Sequence, residues 1–308
     1  MRKHRCRYFS PLSLCPCPLM RSPAMTMLQP TPAARFVRCL AIVVMAAGSL
    51  APSTARSQTS LASADFSTFT DGALVGQNGW LQYNTSATAP LTVTSGRVAW
   101  AGGATANNED ASLPFPSTVT QPVSGSTVLN FDMTLSVTAP SSSTPGPNPS
   151  YFAALNTNTT SATSGNFQNA RIVAQAQGSG YVFGARVNGQ GGYPFAYGTQ
   201  ELTIGQDYAL RAEINMVAGN ANDSINLYVG PDFDTLSLYA TAGYASGSVS
   251  DPTFGAMLLS QFGSASVFEA GVSVKSMSVT QVVPEPSTLG ILAAGCGLLA
   301  AARRRRAA

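Results

Sequence analysis

The sequence predicts an all-β protein, a sandwich of short strands set between two targeting ends. Three observations carry this. Several segments alternate apolar and polar residues with a period of two, the pattern of a half-buried strand. Turn clusters such as residues 188–192 (NGQGG) and 218–223 (AGNAND) fall between them. No strong helical period is present outside the two ends.

In chain order, the run 91–100 breaks at Ser95-Gly96, which predicts a hairpin. Residues 129–137 alternate strictly, with Leu129, Phe131, Met133, Leu135 and Val137 on one face and Asn130, Asp132, Thr134 and Ser136 on the other. The stretch 138–150, rich in Pro and Ser, reads as a loop. Residues 151–156, 170–176 and 181–187 read as further strands. The run 207–216 places Tyr208, Leu210, Ala212, Ile214 and Met216 inward, and 224–229 does the same with Ile225, Leu227 and Val229. Strands at 236–241 and 268–282 complete the set; in the last, the apolar register moves between Val274 and Met277, which predicts a bulge. Many short strands within roughly 220 residues suit one sandwich with a single sizeable core.

The N-terminal end has the form of a secretory signal peptide. Arg35 and Arg38 precede an apolar run of about a dozen residues and a small-residue exit at Ser53-Thr54-Ala55. Cleavage is expected after Ala55, leaving Arg56 as the first mature residue; Ala62-Ser63-Ala64 is a second candidate farther from the apolar run. The leading stretch is long and proline-broken, and Met25 and Met27 are alternative starts. Residues 1–55 are assigned to this signal and 56–64 to a short linker before a domain at 65–283.

At the other end stand Pro284, Glu285 and Pro286, a nearly uncharged segment 287–302, and Arg303, Arg304, Arg305 and Arg306. As a helix the segment would span about 24 Å, a little short of the ~30 Å hydrocarbon core. Flanking positive charge stays cytoplasmic, so the preceding residues are expected across the membrane. The two prolines cannot continue a helix and hold Glu285 extended. These three elements, in this order at the C-terminus, resemble the PEP-CTERM sorting signal. The resemblance covers residues 284–308. It implies export by a Gram-negative exopolysaccharide producer, transient insertion in the inner membrane, and cleavage near Pro-Glu-Pro by the membrane protease exosortase.

Composition excludes several functions. The whole chain carries a formal charge of +3, but between Arg56 and Pro286 six basic residues face fourteen acidic ones, a net −8. Nucleic-acid binding therefore loses its electrostatic basis. The five cysteines stand at 6, 15, 17, 39 and 296 and the single histidine is His4, so the body has neither. That removes disulfides, Cys and His nucleophiles, Ser-His-Asp triads and His or Cys metal sites from the body. Cys15 and Cys17 lack partner ligands, and Cys296 reads as a small apolar residue. Charged residues are 10% of the chain, against a typical ~25%, which suits polar uncharged faces that meet sugars or water.

The opening "FSTFTDGALVGQNGW", the pair "YALRAEINMVAGNANDSINLYV" and a closing strand before the tail are similar to concanavalin-like (laminin-G-like) jelly-roll domains found in many PEP-CTERM proteins. This resemblance implies a jelly-roll over roughly 65–282. The fold hosts lectins, glucanases and structural modules, so it does not choose among them.

Carboxylates are the remaining catalytic route. The acidic cluster of jelly-roll glucanases, with Glu-x-Asp-x-x-Glu spacing, is absent; Glu201, Glu213 and Glu269 are isolated, and Glu109 and Asp110 are adjacent, hence on opposite faces of a strand. Asn220, Asn222, Asp223, Asp232 and Asp234 offer hard oxygen ligands for calcium, but their spacing is not an EF-hand and such residues build turns. Tyr193, Phe195 and Tyr197 would share one face of an extended segment, as a sugar-stacking row or as core. Trp80 and Trp100 read as packing residues. The sequence thus points to an exported surface or matrix protein, structural or adhesive and not an enzyme, without cofactor or metal, beside exopolysaccharide; a carbohydrate-binding module is the alternative, and a glycoside hydrolase a remote one.

Overall fold

The computed structural model describes residues 56–83, 89–101, 109–120, 122–141, 151–157, 168–187, 195–219, 222–243, 253–261 and 270–284. The chain divides into two units, Met1–Ser53 and Thr54–Ala308. The expected signal peptide and the expected helix 287–302 lie outside the described residues.

The described residues of the second unit form sixteen strands: β1 (Arg56–Asp65), β2 (Gly72–Ala73), β3 (Leu81–Gln82), β4 (Thr92–Thr94), β5 (Arg97–Trp100), β6 (Ala111–Val119), β7 (Ser126–Ala139), β8 (Ala153–Asn156), β9 (Gln168–Gln177), β10 (Gly180–Val187), β11 (Ala196–Tyr197), β12 (Asp207–Val217), β13 (Ser224–Gly230), β14 (Ser237–Gly243), β15 (Phe254–Leu259) and β16 (Gly271–Pro284). Among the described residues the helical element is one 3-10 turn, Phe66–Thr68, whose Asp65 carboxylate accepts the Ser67 N–H at 3.1 Å.

Two antiparallel sheets form the sandwich. One runs β14-β13-β12-β7-β16-β5-β4-β2, with β1 also on β16; the other runs β11-β10-β9-β8-β15-β6-β3. The pair β6/β15 in one sheet continues into β7/β16 in the other. A strand pair wrapped across both sheets is the winding of a jelly roll.

The core follows from period two. Leu129, Phe131, Met133, Leu135 and Val137 are all buried, as are Leu210, Ala212, Ile214 and Met216 on β12 and Ile225, Leu227 and Val229 on β13. Their alternation presses one face of the nine-stranded sheet against Ile172, Phe183, Met257 and Leu259 of the other. The hairpin expected at Ser95-Gly96 joins β4 to β5; both residues have positive φ, 51° and 75°, as a two-residue type I′ turn requires. The bulge expected near Val274 is present, a register shift between Val274 and Ser276 against β7, with Lys275 exposed at the extra position.

Two readings are corrected. Residues 56–64 are not a linker: they form β1, which pairs antiparallel with β16 from Arg56↔Pro284 to Asp65↔Ser276. β6 and β15 are strands that periodicity did not show. β15 is buried at every position, so it has no polar face to alternate with. β6 contains Pro114 and Pro116; it tolerates them because its register against β15 shifts there, and among the described residues its other side pairs with β3 at Ala111 and Ser112, short of both prolines.

Candidate functional site

Three central strands of the seven-stranded sheet, β8, β10 and β15, are buried on both faces. Its core side is supplied by Ala153 and Leu155 of β8, Ala170, Ile172 and Ala174 of β9, Tyr181, Phe183 and Ala185 of β10, and Met257 and Leu259 of β15. The alternate positions point away from the core. There a second cluster forms from Tyr83, Tyr151, Ala154, Val173, Phe195 and Leu258, with Tyr197 packed on it. A sandwich of this kind commonly keeps an outer face wet. Here the outer face instead carries aromatic rings, two arginines and a buried carboxylate.

The arginines are placed by one hairpin. β9 turns into β10 at Gly178-Ser179, with Gly178 at φ 58°. Glu201 holds this turn, its Oε1 accepting the Ser179 N–H at 2.8 Å and the Ser179 Oγ–H at 2.9 Å. Counting back from the turn, Arg171 lies directly opposite Arg186. Directly opposed side chains on a strand pair start about 5 Å apart at Cβ, and like charges there repel. Each guanidinium lies over a ring: Arg171 at 4.9 Å from the Tyr151 centroid, Arg186 at 4.7 Å from the Phe195 centroid. Arg186 is only 3% exposed, and among the described residues its Nε has no hydrogen-bond partner. Burial, and then the neighbouring Arg171, lower its pKa to about 10. Tyr197 packs beside Phe195 with ring centroids 6.1 Å apart. Its ring lies on Gly184 of β10, where a Cβ would meet ring carbons at 2.6 Å; glycine is what admits the ring. Tyr197 and Arg171 are both partly exposed and form the open side of the patch.

Across the same face the chemistry changes sign. Asp110, 5% exposed, accepts the Ser260 Oγ–H at 2.9 Å and the Gln261 N–H at 3.0 Å. Burial still raises its carboxyl to about 6. Tyr151 is pushed well above the usual phenol range, first by burial and then by the Asp110 charge. Asn156 of β8 donates its Nδ2–H to the Tyr83 hydroxyl at 2.6 Å. The face therefore runs from a buried carboxylate, through two phenols, to the opposed arginines and the Phe195–Tyr197 pair.

The sequence-derived candidates are distributed as follows. Phe195 is buried and Tyr197 half-buried, on one face together; Tyr193 lies outside the described residues. Trp80 is fully buried beside Phe66, and Trp100 donates its Nε1–H to the Ala270 carbonyl, so both pack. Asp223 and Asp232 lie at opposite ends of β13, roughly 20 Å apart at strand rise, and do not converge on one ion. Asp223 Oδ1 accepts the Val217 N–H, Asn222 donates to the Ala218 carbonyl, and Asp232 Oδ1 accepts from the Asp234 and Thr235 N–H groups, which is turn chemistry. Asn220 and Glu269 lie outside the described residues. Glu213 accepts from Asn215 and Asn226 on the nine-stranded sheet, remote in the sheet order from Glu201 at the β9–β10 turn. Glu109 accepts the Leu91 N–H and Asp110 the Ser260 hydroxyl, so the two neighbours hold different partners, just before β6 begins. Pro284 ends β16, and Glu285 to Arg306 lie outside the described residues.

Sequence reasoning missed Arg171, Arg186, Tyr83, Tyr151, Asn156 and the environment of Asp110. The arginines alone were within its reach: both follow an alanine, at equal distance from Gly178-Ser179.

Residues 282–306 match the PEP-CTERM protein-sorting motif. The motif implies an exported, membrane-anchored precursor sorted to the cell surface and processed by exosortase. No curated protein matches the chain. Solved structures similar to it include the CBM2 module of an evolved Dit protein from Lactobacillus casei BL23 phage J-1, 12% identical, with a TM-score of 0.40 over 74% of this chain and 97% of that one. An alginate lyase in complex with an alginate trisaccharide is 11% identical, with a TM-score of 0.41 over 71% of this chain and 97% of that one. Peanut lectin is 9% identical, with a TM-score of 0.39 over 74% and 99%. At these scores the likeness says nothing of ligand or reaction, and the sandwich rests on its own strand order.

Proposed function

We propose that the protein is an exported, non-catalytic surface protein whose jelly-roll binds a polysaccharide chain of the extracellular layer on the outer face of its seven-stranded sheet. The observation that supports the reading most is that face itself: aromatic rings at Tyr151, Phe195 and Tyr197 gathered with polar groups on the side of the sheet away from the core. The half-buried Tyr197 ring offers stacking area to a sugar, the buried rings beneath hold it in place, and the polar groups around it supply orientation. The sorting motif supports the location, since it implies delivery to the cell surface. An adhesive role within an exopolysaccharide matrix follows if that chain is the host's own.

The test is electrophoresis of the full-length chain, purified in mild detergent, through gels containing individual polysaccharides. Retardation by at least one polymer, without shortening of the polymer on long incubation, is the expected result. No retardation by any polymer overturns the binding reading, and shortened polymer overturns the non-catalytic one.

A further inference from the structure

The outer face of the nine-stranded sheet presents an open row of side chains in register. Leu238 on β14, Tyr228 on β13, Arg211 on β12, Asp132 on β7, Ser278 on β16 and Ser63 on β1 are successive cross-strand partners. Their neighbours along the strands, among them Leu227, Leu210, Phe131 and Met277, are buried in the core, so the row points outward. Five spacings of about 4.8 Å make it roughly 24 Å long. Arg211 donates to both Asp132 oxygens, at 2.7 and 2.8 Å, so these two charges compensate each other. The Arg211 guanidinium lies 5.9 Å from the ring centroid of Phe233, near the outer limit of a cation–π contact. Phe233 is 39% exposed and belongs to neither hydrophobic cluster. Its own turn fixes it: Asp232 Oδ1 accepts the N–H groups of Asp234 and Thr235 and the Thr235 hydroxyl. Gly230 admits the Thr235 carbonyl, which a Cβ would meet at 2.7 Å. Beside the ring opens a pocket of about 330 Å³, with Ser63, Asp65, Asp132, Ser276 and Ser278 around it.

We infer that this pocket is a second glycan site, on the face of the sandwich opposite the one described above, and that it takes a neutral sugar of a polysaccharide chain. The sugar stacks on Phe233, and its hydroxyls bond the serine hydroxyls and the carboxylates of Asp65 and Asp132. The volume is that of a small-ligand pocket. An open ring face beside a cluster of polar groups suits a ligand with one apolar face and a polar rim. Carboxylates accept only, whereas serine hydroxyls both donate and accept, so the matching ligand carries groups that do both, as sugar hydroxyls do. Asp132 keeps lone pairs beyond those Arg211 uses, and Asp65 commits Oδ1 to Ser67, which leaves Oδ2. Among the described residues two carboxylates and no cation line the pocket, so an acidic sugar would meet like charge there. The body's net −8 repels polyanions in the same sense. A ring already held by its turn needs little ordering on binding. Beyond Arg211 the row continues through Tyr228 to Leu238, 60% exposed, which extends the surface to neighbouring sugars of the same chain.

The experiment is affinity electrophoresis of the full-length chain in mild detergent, through gels holding a mixed-linkage β-glucan, a galactomannan, dextran, chitosan or polygalacturonate. Tyr197→Ala, which strips the open ring from the other face, should still be retarded by at least one of the three neutral polymers. Phe233→Ala added to it should lower that affinity at least tenfold. Ile204→Ala added instead, which removes an equally exposed apolar side chain elsewhere, should leave the affinity as it was. Thermal melting of the Phe233→Ala variant within a few degrees of its parent shows that the fold is kept; should it melt far lower, Ser278→Leu, which fills the pocket, takes its place. Binding that survives Phe233→Ala undiminished, or that Tyr197→Ala alone abolishes, overturns this site and leaves the one on the seven-stranded sheet standing. Binding that ignores Tyr197→Ala and is lost with Phe233→Ala supports this site and overturns the other. Phe233-dependent binding to chitosan or polygalacturonate alone overturns the neutral assignment. No retardation of the parent by any of the five overturns the inference.

Discussion

Asp110 shows what a buried charge does to this protein. Two donors, the Ser260 hydroxyl and the Gln261 N–H, hold its Oδ1, yet desolvation prevails and its carboxyl rises to about 6. A folded value above the unfolded one means that the folded chain holds the proton more tightly. The group therefore stabilises fully below about pH 4, and that stability is lost as pH rises through about 6, a change of up to about 3 kcal/mol. Glu109, also raised by burial, acts with the same sign. Asp207 acts oppositely: the Arg97 hydrogen bond lowers it, so its contribution is present above the ordinary carboxylate range and is lost in stronger acid. Urea unfolding should thus find the parent more stable at pH 5 than at pH 7. Asp110→Asn keeps an acceptor for both donors and should flatten that slope while gaining stability at pH 7. A slope unchanged by the substitution would show that another group carries it.

The strands differ in how plainly the chain announces them. β7, β12 and β13 each have one dry and one polar face, so their registers were legible down to single residues, and even the bulge before Met277 could be read. Leu210 and Leu227 are fully buried on that basis; replacing either with Ala should cost about 2–5 kcal/mol, measured by chemical denaturation, and indifference at both would refute the register. β15 and β10 are buried on both faces and lose the alternating signature. β6 hides behind its prolines, and β1 reads equally as a linker because Ser, Thr, Gln and Ala suit either role. The candidate site is hidden for a different physical reason: residues that meet across a sheet come from distant strands. Tyr83, Tyr151, Arg171 and Asp110 have no common spacing, and only the hairpin pair Arg171–Arg186 is close enough in sequence to be paired by counting from a turn.

At the scale of the whole chain, the two expected processing points meet. Arg56 follows the expected signal cleavage site and Pro284 opens the Pro-Glu-Pro, and these two residues are cross-strand partners. Mass spectrometry of protein from a host with exosortase should show a mature N-terminus at or near Arg56 and loss of Arg303 to Arg306; a secreted form that keeps the arginines would refute the sorting reading. The pairing of β1 with β16 also decides how the molecule bears load. β16 lies inside its sheet, with β7 along one edge and β5 and β1 end to end along the other. A pull on its C-terminal end, from a membrane tether or from moving matrix, runs along the strand, while its hydrogen bonds lie across that direction. Those bonds are strained in shear, many at once, so the tethered end is the mechanically strong one. A pull that separates the two chain ends instead opens β1 from β16 one bond at a time, beginning at Arg56 and Pro284, so the same sheet resists being dragged and yields to being unzipped.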